Sequence, residues 1–513
     1  MMLAKVISGA TVGLNAVPIT VEVDISAKGL PSFQIVGLPD KAIEESKERV
    51  RSALKNSGAD FPDHRITINL APADLPKEGP AYDLPIALGM LIASGQLPDT
   101  LNIQDALVFG ELSLDGSVQH ASGILPMALL AREKGFKRLF IPSLSAKEAS
   151  VINTITIYPT VSLLSLFYHL SNQQVIAPEP FTPFSELSSD IVHEFDMEDI
   201  RGQEHAKRAL EIAAAGGHNV FLKGPPGAGK TLLARTFPSI LPDLTEDEAL
   251  EVTKIYSITG NLKPGDSLIK TRPFRSPHHT TSRMGLIGGG TKPMPGEISL
   301  AHRGVLFLDE APELPRNVLE ALRQPLEDGI VTVSRAAGSV TYPAKFTLIA
   351  AANPCPCGYL GHEKKQCRCM PGQILRYQKR ISGPILDRID LHITCPALSP
   401  DKMSQIKKGE TSESIRIRVQ KARDRQLTRF ANTKLKSNAE MGSKDIKQFC
   451  ELSSECIAIL RQAIANFHLS ARAYNKVIKL SRTIADLEGS EQLLPMHIAE
   501  SLQYRPKMEE EYH

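Results

Sequence analysis

The feature that most constrains the fold of this chain is a segment that matches the pattern G-x-x-x-x-G-K-[ST], which is typical of phosphate-binding loops. A short apolar run at 220–222 precedes it, and a helix-forming run at 232–235 follows it. Glycines let backbone amides converge on phosphate groups, and the N-terminus of the following helix adds positive potential there. The segment predicts an α/β nucleotide-binding domain, although a glycine-rich turn without function is the alternative. Its residues are Gly224, Pro225, Pro226, Gly227, Ala228, Gly229, Lys230 and Thr231.

An acidic pair after a later apolar run predicts the other half of a nucleotide site. The run at 305–308 is typical of a buried parallel strand, and Asp309 and Glu310 follow it. A carboxylate at a strand end suits Mg²⁺ coordination, and its neighbour suits polarisation of an attacking water. We therefore expect Lys230 to hold the β- and γ-phosphates of ATP. Thr231 and Asp309 would share the Mg²⁺ ion.

Two further polar side chains lie where such a site could use them. Asn353 follows the apolar run at 346–352, and its amide could help orient the attacking water. Arg388 lies in the segment 384–390, and arginine is suited to stabilising charge on a transferring phosphoryl group. Taken alone, Arg388 favours the simpler interpretation of a surface salt bridge.

Length and composition limit the class of protein. A chain of 513 residues is too long for one hydrophobic core, so we expect two to four domains. Its 59 basic and 57 acidic residues nearly cancel, so any binding to nucleic acid must come from local patches. No apolar run is long enough to span a bilayer, and the N-terminus lacks the pattern of a secretory signal. These features predict a cytoplasmic protein without membrane contact, whose 7 cysteines are free or metal-bound.

Composition also predicts the domain organisation. Residues 1–172 alternate strand-like and helix-like segments and predict an α+β or α/β domain. Residues 173–194 are rich in Pro, Ser and Gln, which is typical of a linker. We expect the ATPase core at 195–399, with a loop-rich insertion at 259–296, and a helical lid domain at 400–513. Two β-branched runs around a glycine-containing turn predict a β-hairpin at 329–342.

Four cysteines follow Asn353 in a C-x-C, nine-residue, C-x-C pattern. Four thiolates on one short loop suit tetrahedral Zn²⁺, because soft ligands favour zinc over harder cations. The alternatives are four reduced thiols in a loop and an iron–sulfur cluster. The residues are Cys355, Cys357, Cys367 and Cys369.

These motifs, in this order, resemble those of AAA+ ATPases, and more closely those of the magnesium-chelatase-like branch. The segments RPFRSPHHTTS (272–282) and PGEISLAHRG (295–304) resemble hallmarks of the ComM/YifB family. The resemblance covers essentially the whole chain. It implies an ATP-driven homo-hexamer that binds single-stranded and branched DNA and acts as a helicase, promoting branch migration during natural transformation.

The resemblance also implies roles for individual residues. Lys230 and Thr231 match Walker A, and Asp309 and Glu310 match Walker B. The remaining catalytic positions match sensor 1, the arginine finger and sensor 2, in that order, at Asn353, Arg388 and Arg472. The finger would act on ATP in the neighbouring subunit.

The N-terminal domain resembles the proteolytic domain of Lon protease, in the segments 76–81 and 110–118. Ala81 stands where Lon has its nucleophilic serine, and Leu125 falls where Lon has its catalytic lysine. Without the oxygen nucleophile and the base, this domain has no peptidase chemistry. The resemblance therefore implies a retained fold without peptidase activity.

Basic residues offer candidate contacts to DNA. Arg335 near the hairpin tip and Arg275 and Lys292 in the insertion are the positions we expect to meet DNA, because of their location. The segment 416–436 is also strongly basic. It could contact phosphates, or it could be a solvated helix face or form inter-subunit salt bridges.

Two other functions share some of these motifs. A magnesium-chelatase ATPase subunit, which drives metal insertion with partner subunits, has the same AAA+ motifs. The Lon-like domain and the cysteines argue against it. A Lon-type ATP-dependent protease is the third alternative, and the missing dyad opposes it.

Overall fold

The structure is a computed structural model that describes residues 3–27, 29–98, 103–187, 193–290, 293–335, 338–362, 365–397, 409–467 and 470–506. The chain forms two compact units. The first comprises Met1–Ser189 together with Glu246–Ile269, and the second comprises Asp190–Thr245 together with Lys270–His513. Each unit is therefore built from two separate stretches of sequence.

The first unit contains a seven-stranded sheet in the order β3-β4-β2-β1-β5-β8-β9. Its pairings are antiparallel between β1 and β2 and between β2 and β4, and parallel elsewhere. The strands are β1 (Leu3–Val12), β2 (Asn15–Ser26), β3 (Ser32–Val36), β4 (Arg65–Ala71), β5 (Ala106–Val108), β8 (Arg138–Pro142) and β9 (Thr156–Thr160); a separate pair consists of β6 (Glu111–Leu112) and β7 (Val118–Gln119).

Helices cover this sheet through two hydrophobic clusters. The strand β5 alternates between them, because Leu107 belongs to one cluster and its neighbours Ala106 and Val108 to the other. The helices of this unit are α1 (Lys41–Asn56), α2 (Asp83–Ala93), α3 (Ile124–Lys134), α4 (Ala146–Ala149), α5 (Leu163–Leu170) and α8 (Glu246–Ile258).

The helix α8 follows the phosphate-binding loop in sequence but belongs to the first unit. Leu250 and Leu268 pack against the same buried cluster as α3. The amide of Gly123 donates to the carbonyl of Ser257 at 3.1 Å, and the amide of Gly265 donates to the carbonyl of Leu144 at 3.0 Å. We name residues 246–269 the strap, since they tie a later segment of the chain into this fold.

The second unit contains a five-stranded, all-parallel sheet in the order β11-β14-β17-β10-β18. Every residue of β14 and β17 is buried, as their continuous apolar runs predict. The strands are β10 (Val220–Lys223), β11 (Phe274–Arg275), β14 (Val305–Leu308), β17 (Thr347–Ala352) and β18 (Leu391–Thr394); the pairs β12 (Gly288–Gly289) with β13 (Met294–Pro295) and β15 (Ile330–Arg335) with β16 (Gly338–Pro343) are separate.

One set of helices flanks this sheet. The helices at the C-terminal end of the chain form a further layer, whose own hydrophobic core surrounds Phe430, Leu460 and Ile498. The helices near the sheet are α6 (Glu204–Gly216), α7 (Lys230–Thr236), α9 (Arg283–Ile287), α10 (Glu297–Leu300), α11 (Arg316–Glu320), α12 (Arg323–Asp328), α13 (Pro371–Gln378) and α14 (Gly383–Leu386). The C-terminal helices are α15 (Ser412–Arg429), α16 (Ser443–Phe449), α17 (Ser454–Phe467), α18 (Ala471–Glu488) and α19 (Pro495–Leu502).

The predicted fold class is confirmed: a mixed α/β chain carries a parallel sheet with a phosphate-binding loop, followed by a helical C-terminal domain. The predicted hairpin is present as β15 and β16. Among the described residues, no helix combines the length and apolar character that crossing a membrane requires.

Candidate nucleotide-binding site

The phosphate-binding loop connects α7 to β10, the strand that lies between β17 and β18 in the parallel sheet. Gly227 and Gly229 have φ values of 78° and 84°, a left-handed conformation that favours glycine. A Cβ atom on Gly224 would lie 2.2 Å from the carbonyl oxygen of Cys395 in the segment after β18. Glycine at these three positions is therefore required by the backbone path and not only by the motif.

Lys230 is buried, and its ammonium group contacts both the loop and a neighbouring strand. The Nζ atom donates to the carbonyls of Gly224 at 2.7 Å and Pro225 at 2.9 Å. It also donates to Oδ1 of Asn353 at 3.1 Å. Burial lowers the pKa of Lys230, and nearby acidic groups, Asp309 among them, partly oppose this effect. The structure thus joins the predicted Walker A lysine to the predicted sensor 1 side chain.

Thr231 and Asp309 form the oxygen-rich side of the site. The hydroxyl of Thr231 donates to Oδ2 of Asp309 at 2.8 Å. A hydroxyl and a carboxylate are hard oxygen donors of the kind that Mg²⁺ prefers, and Mg²⁺ usually binds one or two carboxylates together with substrate phosphates. The two side chains therefore fit a magnesium ion.

Glu310 is exposed and adopts φ 47°, which is unusual for a residue other than glycine. Its amide donates to Oδ1 of Asp309 at 2.9 Å, so the backbone turns directly after Asp309. Left-handed residues of this kind cost on the order of 1 kcal/mol and are concentrated at functional sites. The turn places Glu310 at the end of β14, where an acid can act on solvent.

Asn353 follows the end of β17, next to Lys230. Its backbone amide donates to the hydroxyl of Tyr377 on α13, and burial is the main cause that raises the pKa of Tyr377 to about 12. The neutral phenol therefore fixes the backbone of Asn353 across the physiological pH range. No pattern in the sequence indicates this role of Tyr377.

Arg388 and Arg472 lie together, on the two oxygens of one carboxylate. Arg388 donates through Nη2 to Glu327 and through Nη1 to the carbonyl of Pro384 at 2.6 Å. Arg472 donates to Oε1 of Glu327 at 2.7 Å. Hydrogen bonding to Arg388 is the largest cause that lowers the pKa of Glu327. In the described part of the chain, no hydrogen bond of either arginine goes to the phosphate-binding loop.

A buried ionic network fixes the segment that carries Arg388. Asp390 accepts from the amide of Asn219 at 3.0 Å, and Nζ of Lys476 lies 3.4 Å from its Oδ1. Burial alone would raise the pKa of Asp390, but Lys476 and His218 hold it well below its usual range. Asn219 also donates to the carbonyl of Arg388 at 3.2 Å. Sequence patterns gave no sign of this network.

Gln203 is a further residue that the sequence reasoning missed. Its amide donates to the carbonyls of Ala228, within the loop, at 3.1 Å and of Pro396 at 2.8 Å. Its φ of 59° is left-handed, and the helix α6 begins directly after it. Gln203 therefore ties the phosphate-binding loop to the segment after β18.

The four cysteines come together on the loop between β17 and α13. Their sulfur atoms all lie within 4.8 Å of one another. The Sγ atom of Cys355 lies 3.4 Å from that of Cys357 and 3.7 Å from that of Cys367. Hydrogen bonds from the amides of Tyr359 and Arg368 lower the pKa of Cys357 to about 6. None of the seven cysteines forms a disulfide bond.

The predicted DNA contacts have differing structural settings. Arg275 forms a bidentate ion pair with Glu297, at 2.6 and 2.7 Å. Lys292 and the side chain of Arg335 lie outside the described residues, while the backbone of Arg335 pairs with Gly338 near the hairpin turn.

The basic segment at 416–436 makes contacts within the chain. Arg418 bonds Glu211 and Glu410, and Arg429 bonds Asp486. Arg423 is buried and donates to backbone carbonyls. These arginines therefore pair with acidic groups of their own chain, whereas the salt bridges considered from the sequence were between subunits.

The two positions that the sequence predicted to correspond to the Lon dyad are apolar and buried. Ala81 and Leu125 belong to one hydrophobic cluster, together with parts of α3 and β8. The carboxyl of Glu148 accepts from the amide of Leu125 at 2.7 Å and from the hydroxyl of Ser257 in the strap. Burial raises the pKa of Glu148 to about 7. A nucleophile and a base are both absent at these two positions.

The fold and the site define a P-loop ATPase of the AAA+ type. Models of the magnesium-chelatase subunit ChlI match residues 196–403 and 21–145, and a model of its C-terminal domain matches 409–505. The chain is 45% identical to competence protein ComM of Haemophilus influenzae, over 98% of both chains. It is 44% identical to the uncharacterized protein YifB of Escherichia coli, over 98% of this chain and 97% of YifB. The chain belongs to the ComM/YifB family of magnesium-chelatase-like AAA+ ATPases.

A more distant relative marks the limits of the likeness to chelatases. The magnesium-chelatase 38 kDa subunit of Rhodobacter capsulatus is 28% identical over 31% of this chain and 50% of its own length. The likeness to ComM therefore extends over far more of the chain than the likeness to this subunit.

Proposed function

We propose that this protein is an ATP-driven DNA motor, which assembles as a homo-hexamer and promotes branch migration during recombination in natural transformation. The observation that carries this proposal is the joined set of Lys230, Asn353, Thr231 and Asp309 within a chain that resembles a competence protein over its whole length. The Mg²⁺-dependent hydrolysis of ATP would supply the energy. Single-stranded and branched DNA would be the substrates.

Each residue of the site has a role in this proposal. Gly224–Thr231 binds the phosphates, with Lys230 against the β- and γ-phosphates. Thr231 and Asp309 hold Mg²⁺. Glu310 polarises the attacking water from its exposed position at the strand end, and Asn353 orients it.

Arg388, as the arginine finger, acts on ATP bound to the neighbouring subunit, and Arg472 beside it serves as sensor 2. This assignment is supported by their joint position on Glu327, which no described hydrogen bond links to the chain's own phosphate-binding loop. An arginine supplied in trans stabilises the charge that develops on the transferring phosphoryl group. Hydrolysis would then depend on ring assembly.

Contacts to DNA come from the hairpin at 330–343, from β11 and from the residues that follow β12. Arg335, Arg275 and Lys292 are the residues assigned to them. The free cysteines suit a reducing cytoplasm, where such a motor would meet chromosomal and incoming DNA. The cysteine cluster is assigned to Zn²⁺, in addition to the Mg²⁺ of the ATP site.

A second candidate function is that of a chelatase-type ATPase subunit, which would drive insertion of Mg²⁺ into a porphyrin with partner subunits. The matches to chelatase family models favour it. The free energy of ATP hydrolysis would serve both functions, so the site alone does not separate them.

The decisive test measures ATP hydrolysis and strand exchange on a synthetic branched DNA, with the wild type beside Glu310→Gln. We expect DNA to stimulate the wild-type ATPase and to be branch-migrated only with ATP. Glu310→Gln should bind ATP but hydrolyse it about 10³-fold more slowly, because a positioned base contributes about 10²–10⁴-fold.

Glu313→Gln is the matched control, since Glu313 lies three residues further on and bonds Arg380 rather than the site. It should hydrolyse ATP at the wild-type rate. ATPase activity that DNA does not stimulate, but that chelatase partner subunits do stimulate, would favour the second function. Normal hydrolysis by Glu310→Gln would overturn the assignment of the base.

A further inference from the structure

The sulfur positions of the cysteine cluster fit one ion and not a larger inorganic cluster. Four sulfurs bound at about 2.3 Å to a tetrahedral zinc ion lie about 3.8 Å apart. Three of the sulfur–sulfur distances are 3.4, 3.7 and 3.7 Å. All four sulfurs lie within 4.8 Å of one another, which leaves room for a single central ion.

Backbone amides surround these sulfurs. Leu360 donates to Cys355, and Tyr359 and Arg368 donate to Cys357. The amide of Cys357 itself donates to Cys369. Four thiolates carry two more negative charges than one Zn²⁺ neutralises, so amide donors directed at sulfur are the outer contacts such a centre needs.

The cysteine loop is in direct contact with the phosphate-binding loop. Gly358 lies between the first and second cysteine pairs and has φ +80°. A Cβ atom on Gly358 would lie 2.6 Å from Cδ and 2.7 Å from Cγ of Pro226. A side chain of any size at position 358 would therefore displace either the cysteine loop or the phosphate-binding loop.

Both ends of the cysteine loop also connect to the site. Asn353, which bonds Lys230, lies two residues before Cys355. Gln378 on α13 donates to the carbonyl of Pro354 at 3.1 Å, and the hydroxyl of Tyr377 accepts from the amide of Asn353. An ion that joins Cys355 to Cys369 fixes the distance between Asn353 and the start of α13.

We propose that the four cysteines bind one zinc ion, and that this ion positions Asn353 and Pro226, so that metal occupancy sets the turnover rate of the ATPase. This inference rests on the ATPase activity proposed above. The ion is not a catalyst, since its four ligands are all protein thiolates and leave no open position. Loss of the ion releases the loop, and Asn353 loses the geometry in which it orients water.

The test uses the purified full-length protein, with the bound metal measured by elemental analysis. We expect one zinc per chain in the wild type and close to none in the double variant Cys367→Ser, Cys369→Ser. Cys450→Ala, which removes a buried thiol in the C-terminal helices, should keep its zinc. The double variant should lose about tenfold or more in kcat for ATP, as expected when supporting contacts of a site are lost. Its ATP affinity should change by less than about threefold, because the amides of the phosphate-binding loop remain.

Gly358→Ala separates the contact with Pro226 from metal binding. It should keep its zinc and lose ATP turnover, because the added methyl group collides with the proline ring. Gly361→Ala is the matched control: Gly361 has a similar φ of +75°, and nothing lies within 4 Å of its Cβ position. It carries the same backbone strain without the collision, and its turnover should stay close to the wild-type value.

The outcomes distinguish this inference from the proposed function. A wild type without zinc, or one with the visible absorption of an iron–sulfur cluster, overturns the metal assignment. Zinc-free variants with the wild-type kcat overturn the positioning role. A wild type that binds zinc but hydrolyses no ATP instead overturns the proposed function, since the metal content is measured independently of activity.

Discussion

The nucleotide site and the region around Ala81 and Leu125 both contain carboxylates near a helix N-terminus, but their surroundings differ. At the nucleotide site, Asp309 is half-buried and Glu310 is exposed, at the end of a parallel strand. In the first unit, Glu148 is buried and accepts hydrogen bonds from the chain itself. The comparison teaches that solvent exposure determines the role of a carboxylate. A carboxylate at an open strand end can act on a ligand, whereas a buried carboxylate stabilises the fold.

The largest effect expected from this comparison is at Arg388. Arg388→Ala should hydrolyse ATP on the order of 10³-fold more slowly with ATP binding retained, because an arginine finger contributes at least that factor. Steady-state hydrolysis and the binding of a fluorescent ATP analogue measure the two quantities. Arg376→Ala, an exposed arginine on α13, is the control and should be unaffected.

Mixing subunits tests whether Arg388 acts across an interface. Subunits with Arg388→Ala have an intact phosphate-binding loop, and subunits with Lys230→Ala have an intact finger. A mixture should regain part of the activity that each variant lacks. Two inactive variants that stay inactive when mixed would contradict action in trans.

A smaller effect is expected at Glu148, the buried carboxylate of the first unit, where pH should change the stability of the fold. Burial raises the pKa of Glu148 from 4.5 to about 7, so the folded protein binds more protons than the unfolded chain between these pH values. The stability that this group contributes is therefore complete below about pH 4.5 and is lost as the pH rises through 7. The loss amounts to about 3 kcal/mol at most.

Glu148→Gln should remove this pH dependence, because a neutral amide oxygen can accept the same two hydrogen bonds. Hydrogen exchange of α3 across pH 5 to 8 measures the local stability. Glu133→Gln, at the exposed end of α3, serves as the control and should retain the wild-type profile. A Glu148→Gln profile identical to that of the wild type would show that Glu148 does not titrate in this range.

The smallest effect is expected at Ala81. Ala81→Ser restores a hydroxyl at the position that resembles the Lon nucleophile, but Leu125 supplies no base. We expect no ATP-dependent cleavage of casein and only a small change in the thermal midpoint. Ala93→Ser on α2, which is equally buried at 9% exposure, is the control. Peptidase activity in Ala81→Ser alone would contradict the prediction that this domain has no peptidase chemistry.

The sequence predicted the parts of the nucleotide site that a contiguous motif encodes. The glycine-rich loop and the strand-end acids lie within short segments, and parallel strands bring their ends to one edge of the sheet. The structure accordingly joins Lys230 to Asn353 and Thr231 to Asp309. The roles of these residues in catalysis stay predictions.

What the sequence could not predict depends on pairs that are distant in the chain. Glu327 holds Arg388 and Arg472, which lie 61 and 145 residues away from it. Gln203 reaches Pro396 across 193 residues. The basic segment at 416–436 shows the same difficulty, because its partners Glu211 and Asp486 lie elsewhere in the sequence. Local charge density carries no information about such partners.

The strap has a consequence for synthesis of the protein. Domains generally fold as units in the order in which the ribosome delivers them, the N-terminal one first. Here the core of the first unit includes Leu250 and Leu268, so the ribosome must reach Ile269 before that unit is complete. The phosphate-binding loop at 224–231 leaves the ribosome earlier than the strap does. The N-terminal unit of this protein therefore finishes folding only after part of its successor has been made, and a gene that ended at Ser189 would encode the first unit without its strap.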